Sequence, residues 1–218
     1  MSPCAGCILG KSCRLPFKRK INEGYDPNLV LIYLDAFGPT KTKSHQGNRY
    51  FTGIVCRRSR EGFVYFHDNF QNYETIFQKF FDDYHAKHGA YPTAIRFDRA
   101  SVNLADCVKR LCAKYGVRLL PTPSRCEELN GIAENFIKQM QTMARCCIQQ
   151  SGLPLFLWEE AVRAMCHVRE YLPCSANPDS LSVYEMETRC VPDLSHLVPW
   201  GVKAWAVCHY DARGKMRD

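Results

Sequence analysis

Apolar positions in the first part of the chain predict a group of strands followed by a helix. Three short apolar runs, over 29–34, 49–56 and 62–67, are rich in β-branched and aromatic residues and predict three strands. Apolar residues then recur at spacings of three and four over 72–88, the period of a helix with one buried face. The strands lie close together in sequence, which favours an antiparallel meander.

Strands and helices alternate in the rest of the chain. Short apolar runs over 94–97 and 117–120 predict two further strands, and helical spacing is found over 102–115, 129–148 and 155–171. Alternation of this kind is typical of parallel strands with crossover helices. The sequence therefore predicts an α/β fold: a mixed five-stranded sheet, antiparallel meander plus parallel strands, with helices on both faces.

Composition divides the chain into three parts. Residues 1–24 carry a basic arm with no acidic residue before Glu23, and this arm contains Lys11, Arg14, Lys18, Arg19 and Lys20. Residues 25–175 contain the predicted strands and helices and form the expected catalytic core. Residues 176–218 have a weaker pattern, which we interpret as a C-terminal extension of that core.

The bulk properties indicate a globular protein of a reducing compartment. Hydrophobic residues make up 46% of the 218 residues and charged residues 23%, values that do not predict disorder. The 13 cysteines are an odd number, which argues against a closed set of disulfides. No secretory signal and no apolar stretch long enough for a membrane span is evident. We therefore expect an intracellular protein with free thiols and no membrane partner.

Three acidic residues occupy positions that suit chemistry. Asp35 and Asp98 each follow an apolar run that predicts a strand, so both should lie at the sheet edge where ligands usually bind. Glu134 lies near the start of the long helix. Each also has an ordinary interpretation: Asp35 could form a turn, Asp98 could cap the next helix, and Glu134 could be a solvated helix residue.

Together the three carboxylates suit phosphodiester chemistry. Mg²⁺ is a hard cation that prefers oxygen ligands and keeps several waters, so a few carboxylates are enough to bind it. Two Mg²⁺ (or Mn²⁺) ions about 3.5–4 Å apart can activate a hydroxyl and neutralise the leaving oxygen. Asp35, Asp98 and Glu134 are therefore predicted both as catalytic residues and as the ligands of two such ions.

The motifs around these residues resemble those of copia-type retrotransposon integrases, within the retroviral integrase superfamily. Asp98 and Glu134 are separated by 35 residues, with a third acid, Asp35, upstream. The segment Asp35-Ala36-Phe37-Gly38-Pro39 is similar to the family's Asp-x-x-Gly-Pro. The segment Asn130-Gly131-Ile132-Ala133-Glu134 is similar to its Asn-Gly-Val-Ala-Glu. The resemblance extends over nearly the whole chain.

This resemblance implies a ribonuclease H-like fold and a polynucleotidyl transferase with nuclease activity. Such an enzyme would trim the 3′ ends of the element's DNA and join them to target DNA, as a homo-oligomer in the nucleus and in a cytoplasmic particle. After Asp98, however, the family's usual Asn-Gly-Gly-Glu-Phe is replaced by residues 99–103, Arg-Ala-Ser-Val-Asn. Two alternatives therefore remain: a decayed or repurposed nucleic-acid-binding module, and a nuclease that cuts without joining.

Two further features of the sequence concern zinc and DNA. Cys4 and Cys7 have the Cys-x-x-Cys spacing of half a tetrahedral zinc site and resemble the end of the family's N-terminal zinc module; coincidence in a chain with 13 cysteines is the alternative, and we expect such a half-site to bind zinc weakly or not at all. The net charge of +7 favours a polyanionic partner. Apart from the basic arm, the predicted DNA contacts share the polar helix face of Glu134, namely Lys138, Gln141 and Arg145. A merely solvated stripe is the alternative.

Overall fold

The computed structural model describes residues 29–69, 71, 73–97, 106–121 and 130–204. Its strands are β1 (Leu31–Phe37), β2 (Tyr50–Cys56), β3 (Gly62–His67), β4 (Ala94–Phe97) and β5 (Arg118–Pro121). Its helices are α1 (Tyr73–His88), α2 (Asp106–Lys114), α3 (Gly131–Ser151), α4 (Trp158–Arg169) and α5 (Val183–Thr188), with short 3-10 helices at Leu155–Leu157 and Pro178–Ser180.

The five strands form one mixed sheet in the order β3-β2-β1-β4-β5. The pairs β1–β2 and β2–β3 are antiparallel, whereas β1–β4 and β4–β5 are parallel. Helices cover both faces of the sheet. The fold predicted from the sequence, an antiparallel meander extended by parallel strands between helices, is therefore confirmed, and it is the ribonuclease H-like arrangement.

Strand β1 lies at the centre of the sheet and contributes to a separate core on each face. Successive side chains of a strand point to opposite faces. Ile32 and Leu34 accordingly pack with helices α1 and α2, while Leu31 and Tyr33 pack with α3 and α4. All four side chains are buried. A strand buried on both faces reads as a continuous apolar run, which is why the sequence predicts it so clearly.

Aromatic residues of α1 dominate the first core. Phe77, Phe80 and Phe81 are each at most 1% exposed, and they pack against one another and against Phe63 and Tyr84. Burying one such side chain stabilises a fold by roughly 1.5–3 kcal/mol. The helical spacing of apolar residues over 72–88 therefore identifies the face of α1 that packs against the sheet.

In the second core, α3 lies unusually close to the sheet. A Cβ atom added at Gly53 would lie 2.7 Å from Cδ1 of Ile137 and 2.9 Å from Cδ1 of Phe136, and one added at Gly62 would clash with the Phe136 ring. Phe136 is 1% exposed, so its ring fills the space that the two glycines leave open. These glycines set the height of α3 above β2 and β3.

The differences between the observed elements and the sequence prediction are clearest at three places. Strand β1 continues through Phe37, beyond the predicted end at residue 34, because its last residues pair with β2 as far as Phe51. The predicted helix 155–171 begins with a 3-10 turn and ends at Arg169. Helix α5, which the weak apolar pattern did not predict, begins at a capping box formed by Ser182 and Glu185.

Part of the C-terminal region packs on the core. The Nδ2 atom of the buried Asn177 donates to Ser59 O at 3.1 Å, and the backbone N–H of Tyr184 donates to Glu170 O at 2.9 Å. Val183 is 2% exposed. The boundaries predicted at residues 24 and 175 stay predictions, because these contacts do not define separate units.

Two observations concern the thiols and the membrane. Seven cysteines whose side chains the structure describes, from Cys56 to Cys190, carry free thiols. Within the same residues, no helix combines the length and the apolar character that crossing a membrane requires.

A buried carboxylate joins the β2–β3 hairpin to the end of α1. Glu61 is 1% exposed; its Oε2 lies 2.8 Å from Nε2 of His88, and its Oε1 lies 2.5 Å from Nζ of Lys87. Burial opposes ionisation of Glu61, but the hydrogen bonds from His88 and Lys87 outweigh it and hold the pKa of Glu61 below its ordinary value. The hydrogen bond to Glu61 in turn raises the pKa of His88, against the opposing effect of burial.

We predict that Glu61→Gln lowers the free energy of unfolding by about 2 kcal/mol, the scale of a hydrogen bond to a charged group. The pKa of His88 is raised from 6.5, so its interaction stabilises the fold fully below pH 6.5 and is lost as the pH rises through the shifted value. Glu61, whose pKa is lowered from 4.5, contributes stabilisation that is present above pH 4.5 and is lost as the pH falls through the lowered pKa.

Denaturant unfolding near pH 5.5 and pH 8.5 tests this prediction. The difference between wild type and Glu61→Gln should be larger near pH 5.5, where His88 is charged. The matched control is Glu74→Gln, because Glu74 is an exposed carboxylate at the other end of the same helix. Equal losses for both variants, or a difference that does not change with pH, would contradict the proposed role of the buried pair.

Candidate functional site

Asp35 lies within β1 and faces the helix that carries Glu134. It pairs with Gly53 of β2, and it continues the alternating series of Leu31 and Tyr33 on the face covered by α3. Its side chain is half-buried, and its Oδ1 accepts a hydrogen bond of 2.9 Å from the backbone N–H of Ala36. The turn interpretation of Asp35 is therefore wrong: the residue belongs to the paired strand.

The second predicted carboxylate follows the neighbouring parallel strand. Phe97, the last residue of β4, pairs with Leu34 of β1. The residues that follow these two in the sequence are Asp98 and Asp35. Asp98 itself lies outside the described residues, as do Cys4, Cys7 and the predicted DNA contacts Lys11, Arg14, Lys18, Arg19 and Lys20. Within the described residues, no group of three His, Cys, Asp or Glu side chains is arranged to hold a metal ion.

Glu134 lies in the first turn of α3 and is half-exposed. Asn130, the residue before this helix, is 2% exposed, and its side chain makes no capping hydrogen bond to α3. Instead its Nδ2 donates to the backbone O of Leu34 at 3.1 Å. This bond joins the beginning of α3 to the backbone beside Asp35, so two of the three predicted carboxylates belong to elements that meet at one end of the sheet.

The polar face of α3 extends from Glu134 along the helix surface. Lys138 and Arg145 are exposed and Gln141 is half-exposed, whereas Phe136, Met140 and Ala144 are buried against the sheet. At 1.5 Å per residue, Arg145 lies about 16 Å from Glu134 along the helix axis. The three predicted contacts thus share the solvent side of one helix, and their role in binding DNA stays a prediction.

A buried polar network lies beside Asp35 on the opposite face of the sheet. The Nδ1 atom of His67 lies 2.9 Å from Asn69 O and its Nε2 lies 3.0 Å from Oγ1 of Thr52; Tyr73 Oη is 3.4 Å from the same oxygen. Since a carbonyl only accepts, Nδ1 carries a proton, and Nε2 of a neutral ring is then an acceptor within hydrogen-bond distance of the Thr52 hydroxyl. Burial lowers the pKa of His67, which favours the neutral ring.

The negative charge of Asp35 acts on this network. Burial raises the pKa of Tyr73, the hydrogen bond to Thr52 opposes the rise, and the charge of Asp35 adds to it. Tyr73 therefore stays a neutral phenol near the carboxylate. The sequence does not predict this network, because nothing in an apolar strand pattern singles out one threonine and one histidine that meet only after the strands pair.

Two further residues near the site were also missed. The sequence presents Asn130 only as part of the Asn-Gly motif, and its bond to Leu34 O spans 96 positions along the chain. Arg96 pairs with Tyr33, so it lies on the Asp35 face, with its guanidinium 5.8 Å from the Tyr33 ring centroid. The sequence could have indicated Arg96, because it stands two positions before Asp98 and side chains two positions apart on a strand point to the same face of the sheet.

Comparisons with known proteins agree with this architecture. No protein-family model matches the chain. The chain is 24% identical over 209 residues to the Transposon Ty1-DR6 Gag-Pol polyprotein of Saccharomyces cerevisiae (strain ATCC 204508 / S288c), and equally so to the Ty1-DR4 polyprotein. Each match covers 91% of this chain and 12% of the relative, so the chain spans about an eighth of the length of these relatives.

A solved structure shares the fold. A chain from the cryo-EM structure of the simian T-cell lymphotropic virus intasome in complex with PP2A regulatory subunit B56 gamma gives a TM-score of 0.60 at 13% identity, covering 88% of this chain and 63% of that one. The class that the fold defines is thus the ribonuclease H-like α/β fold. More particularly, the chain is homologous to a segment of the copia-type Ty1 Gag-Pol polyproteins.

We predict that Asn130→Ala lowers the free energy of unfolding by about 1–3 kcal/mol, because the substitution leaves a buried carbonyl of β1 without its donor. Denaturant unfolding measures the loss. Asn135→Ala is the matched control, since Asn135 is exposed on the same helix and should change stability by less than about 0.5 kcal/mol. A similar small effect for both variants would contradict the role of Asn130 in holding α3 to β1.

Proposed function

We propose that this chain is the catalytic core of a retrotransposon integrase that processes DNA 3′ ends and transfers them to target DNA with divalent metal ions. The main support is the hydrogen bond between Asn130 and Leu34, which joins the strand of Asp35 to the helix of Glu134. Asp35 also faces α3, as a shared site requires. The homology to Ty1 polyproteins supports the same activity.

The predicted ligand set suits a hard divalent cation. Asp35, Asp98 and Glu134 would supply only carboxylate oxygens, the donors that Mg²⁺ and Mn²⁺ prefer. Asp35 and Glu134 are both half-exposed, so ions and water can reach them. The Oδ1 atom of Asn130 is buried beside them and has no hydrogen-bond partner within the described part of the chain. Bound ions would supply the charge that stabilises the transition state.

In the proposed reaction a DNA 3′ hydroxyl attacks a phosphorus of the target strand. One phosphodiester bond forms and one breaks, and the proton of the attacking hydroxyl goes through solvent to the leaving oxygen. The chain's own contribution is to hold the carboxylates on rigid elements: Asp35 within a paired strand and Glu134 in the first turn of a packed helix. The exposed Lys138 and Arg145 would bind phosphates and align the DNA with this end of the sheet.

A second candidate function is a DNA-binding module that no longer catalyses. It is favoured by residues 99–103, where Arg99 and four other residues stand in place of the glycine-containing pattern that is usual in the family the sequence resembles. This module would keep the fold and the basic helix face while losing metal-dependent chemistry. A nuclease that uses water in place of a DNA hydroxyl would keep the same site. Assembly as a homo-oligomer and presence in a nuclear or particle compartment belong to the integrase proposal.

An end-joining assay with short DNA duplexes in Mg²⁺ or Mn²⁺ separates these functions. An integrase should trim the ends and join them, a nuclease should only trim, and a binding module should do neither. We expect Asp35→Asn, Asp98→Asn and Glu134→Gln each to reduce joining by at least about a hundredfold, the scale of losing one electrostatic group from a site.

The matched control for the carboxylate variants is Glu74→Gln, which removes an exposed carboxylate from α1 and should join DNA at the wild-type rate. Circular dichroism of every variant checks that the fold is retained. Wild-type joining by Asp98→Asn would refute the three-carboxylate site, even if the chain remained an active transferase.

We further predict that the DNA affinity of the wild type falls steeply with added salt, because each phosphate contact releases counterions. Lys138→Ala should reduce the slope of log affinity against log salt by about 1. Lys79→Ala, an exposed lysine on α1, is the matched control and should leave the slope unchanged. Fluorescence anisotropy at several salt concentrations measures both. A flat response in the wild type would contradict binding through this helix face.

A further inference from the structure

A groove of about 300 Å³ opens beside the candidate site, between the β1–β2 loop, α3 and α4. Its apolar surface comes mainly from aromatic and aliphatic side chains of these parts, of the ends of β1 and β2 beside the loop, and of the 3-10 helix before α4, among them Phe37, Phe51, Ile148, Leu155 and Trp158. Phe37 is two residues beyond Asp35 on β1, a distance of about 7 Å along a strand. The groove thus begins next to the predicted carboxylates.

Two of these apolar side chains face solvent. Leu155 is 58% exposed and Phe37 is 37% exposed, although Phe37 contacts Phe51 at 5.6 Å between ring centroids. Both residues line the same groove, so they form a single apolar patch. Exposed apolar patches that polar residues surround are characteristic of binding sites.

The rim of the groove is positively charged. Lys41 of the β1–β2 loop and Arg145 of α3 both line it, with Gln141 between the apolar floor and the Glu134 face. None of the described residues that line the groove is acidic. An apolar floor with cations at its edge matches a nucleotide, which combines an aromatic base with a phosphate.

The β1–β2 loop is held in place by α4 and the residues just before it. The buried Glu159 accepts hydrogen bonds from Ser44 Oγ at 2.8 Å and Asn48 Nδ2 at 2.9 Å. Trp158 Nε1 donates to Thr42 O at 3.1 Å. Lys41 therefore stands on an ordered loop, and the groove is formed before any ligand binds, which reduces the entropy cost of binding.

We propose that this groove binds an unpaired nucleotide of DNA, with the base on Phe37 and Leu155 and the phosphate between Lys41 and Arg145. The proposal rests on the proposed function and names a subsite for its substrate. The base must be unpaired, because bases within a duplex are stacked and cannot offer a face to the protein. Trimming of a 3′ end leaves such nucleotides on the complementary strand.

Other occupants of the groove fit its charge less well. The basic arm of residues 11–20 carries the same sign of charge as Lys41 and Arg145, which would repel it. A second copy of the chain would need a surface complementary to its own groove. Both remain outcomes that the experiment distinguishes.

The experiment measures DNA binding by fluorescence anisotropy at fixed salt, with the complete 218-residue chain. Three probes share one duplex: a blunt end, an end with two unpaired 5′ nucleotides, and the same overhang with abasic sites in place of the bases. We expect the wild type to bind the overhang with its bases about tenfold more tightly than the abasic overhang, a factor typical of base stacking on protein side chains.

Two variants locate the effect in the groove. Leu155→Glu puts a negative charge on the apolar floor; it should abolish the preference for the intact overhang and leave blunt-end affinity within about twofold. Leu172→Glu is the matched control, because Leu172 is a leucine 44% exposed beyond the far end of α4, and it should keep the preference. Lys41→Ala should weaken binding of both overhang probes through the lost phosphate contact.

The possible outcomes separate this proposal from the proposed function. Failure to bind any of the probes would overturn both. Binding without a preference for unpaired bases, or a preference that survives Leu155→Glu, would overturn the groove alone. Light scattering completes the test: if Leu155→Glu dissociates an oligomer while the base preference persists, the groove is a contact between copies and the nucleotide proposal is wrong.

Discussion

The close contact between α3 and the sheet determines the geometry of the candidate site. Helix α3 can approach β2 and β3 because Gly53 and Gly62 have no side chains, and the Phe136 ring occupies the space above them. Asn130 then fixes the beginning of the helix to the carbonyl of Leu34. Packing sets the distance of α3 from the sheet, and one hydrogen bond sets its position along β1.

Strand β1 serves two purposes because a strand has two faces. Ile32 and Leu34 stabilise the core under α1, while Leu31, Tyr33 and Asp35 face α3. A shift of register by one residue would turn every one of these side chains to the wrong face. The strong hydrophobic pattern that fixes the register in the core therefore also orients the carboxylate.

The surroundings of the site combine buried charges and exposed apolar groups, the reverse of the usual distribution. Glu159 is 1% exposed and is satisfied by Ser44, Asn48 and Arg163, whose Nη2 lies 3.0 Å from its Oε1. Burying a carboxylate is tolerated only when such partners are present. The result is an ordered loop that leaves Phe37 exposed at the edge of the groove, a distribution that fits a surface for a ligand.

The sequence by itself determined the fold and the candidate carboxylates. Local periodicity identified every strand, and the copia-type motifs singled out Asp35 and Glu134, because these signals are carried by neighbouring residues. Only the tertiary structure decided that β1 extends past Asp35, that Asn130 bonds to Leu34, and that loop and helices enclose a groove. The Asn130 bond and the groove depend on contacts between residues about 100 positions apart, and the extension of β1 depends on the pairing of Phe37 with Phe51 on the next strand. No local pattern contains these contacts.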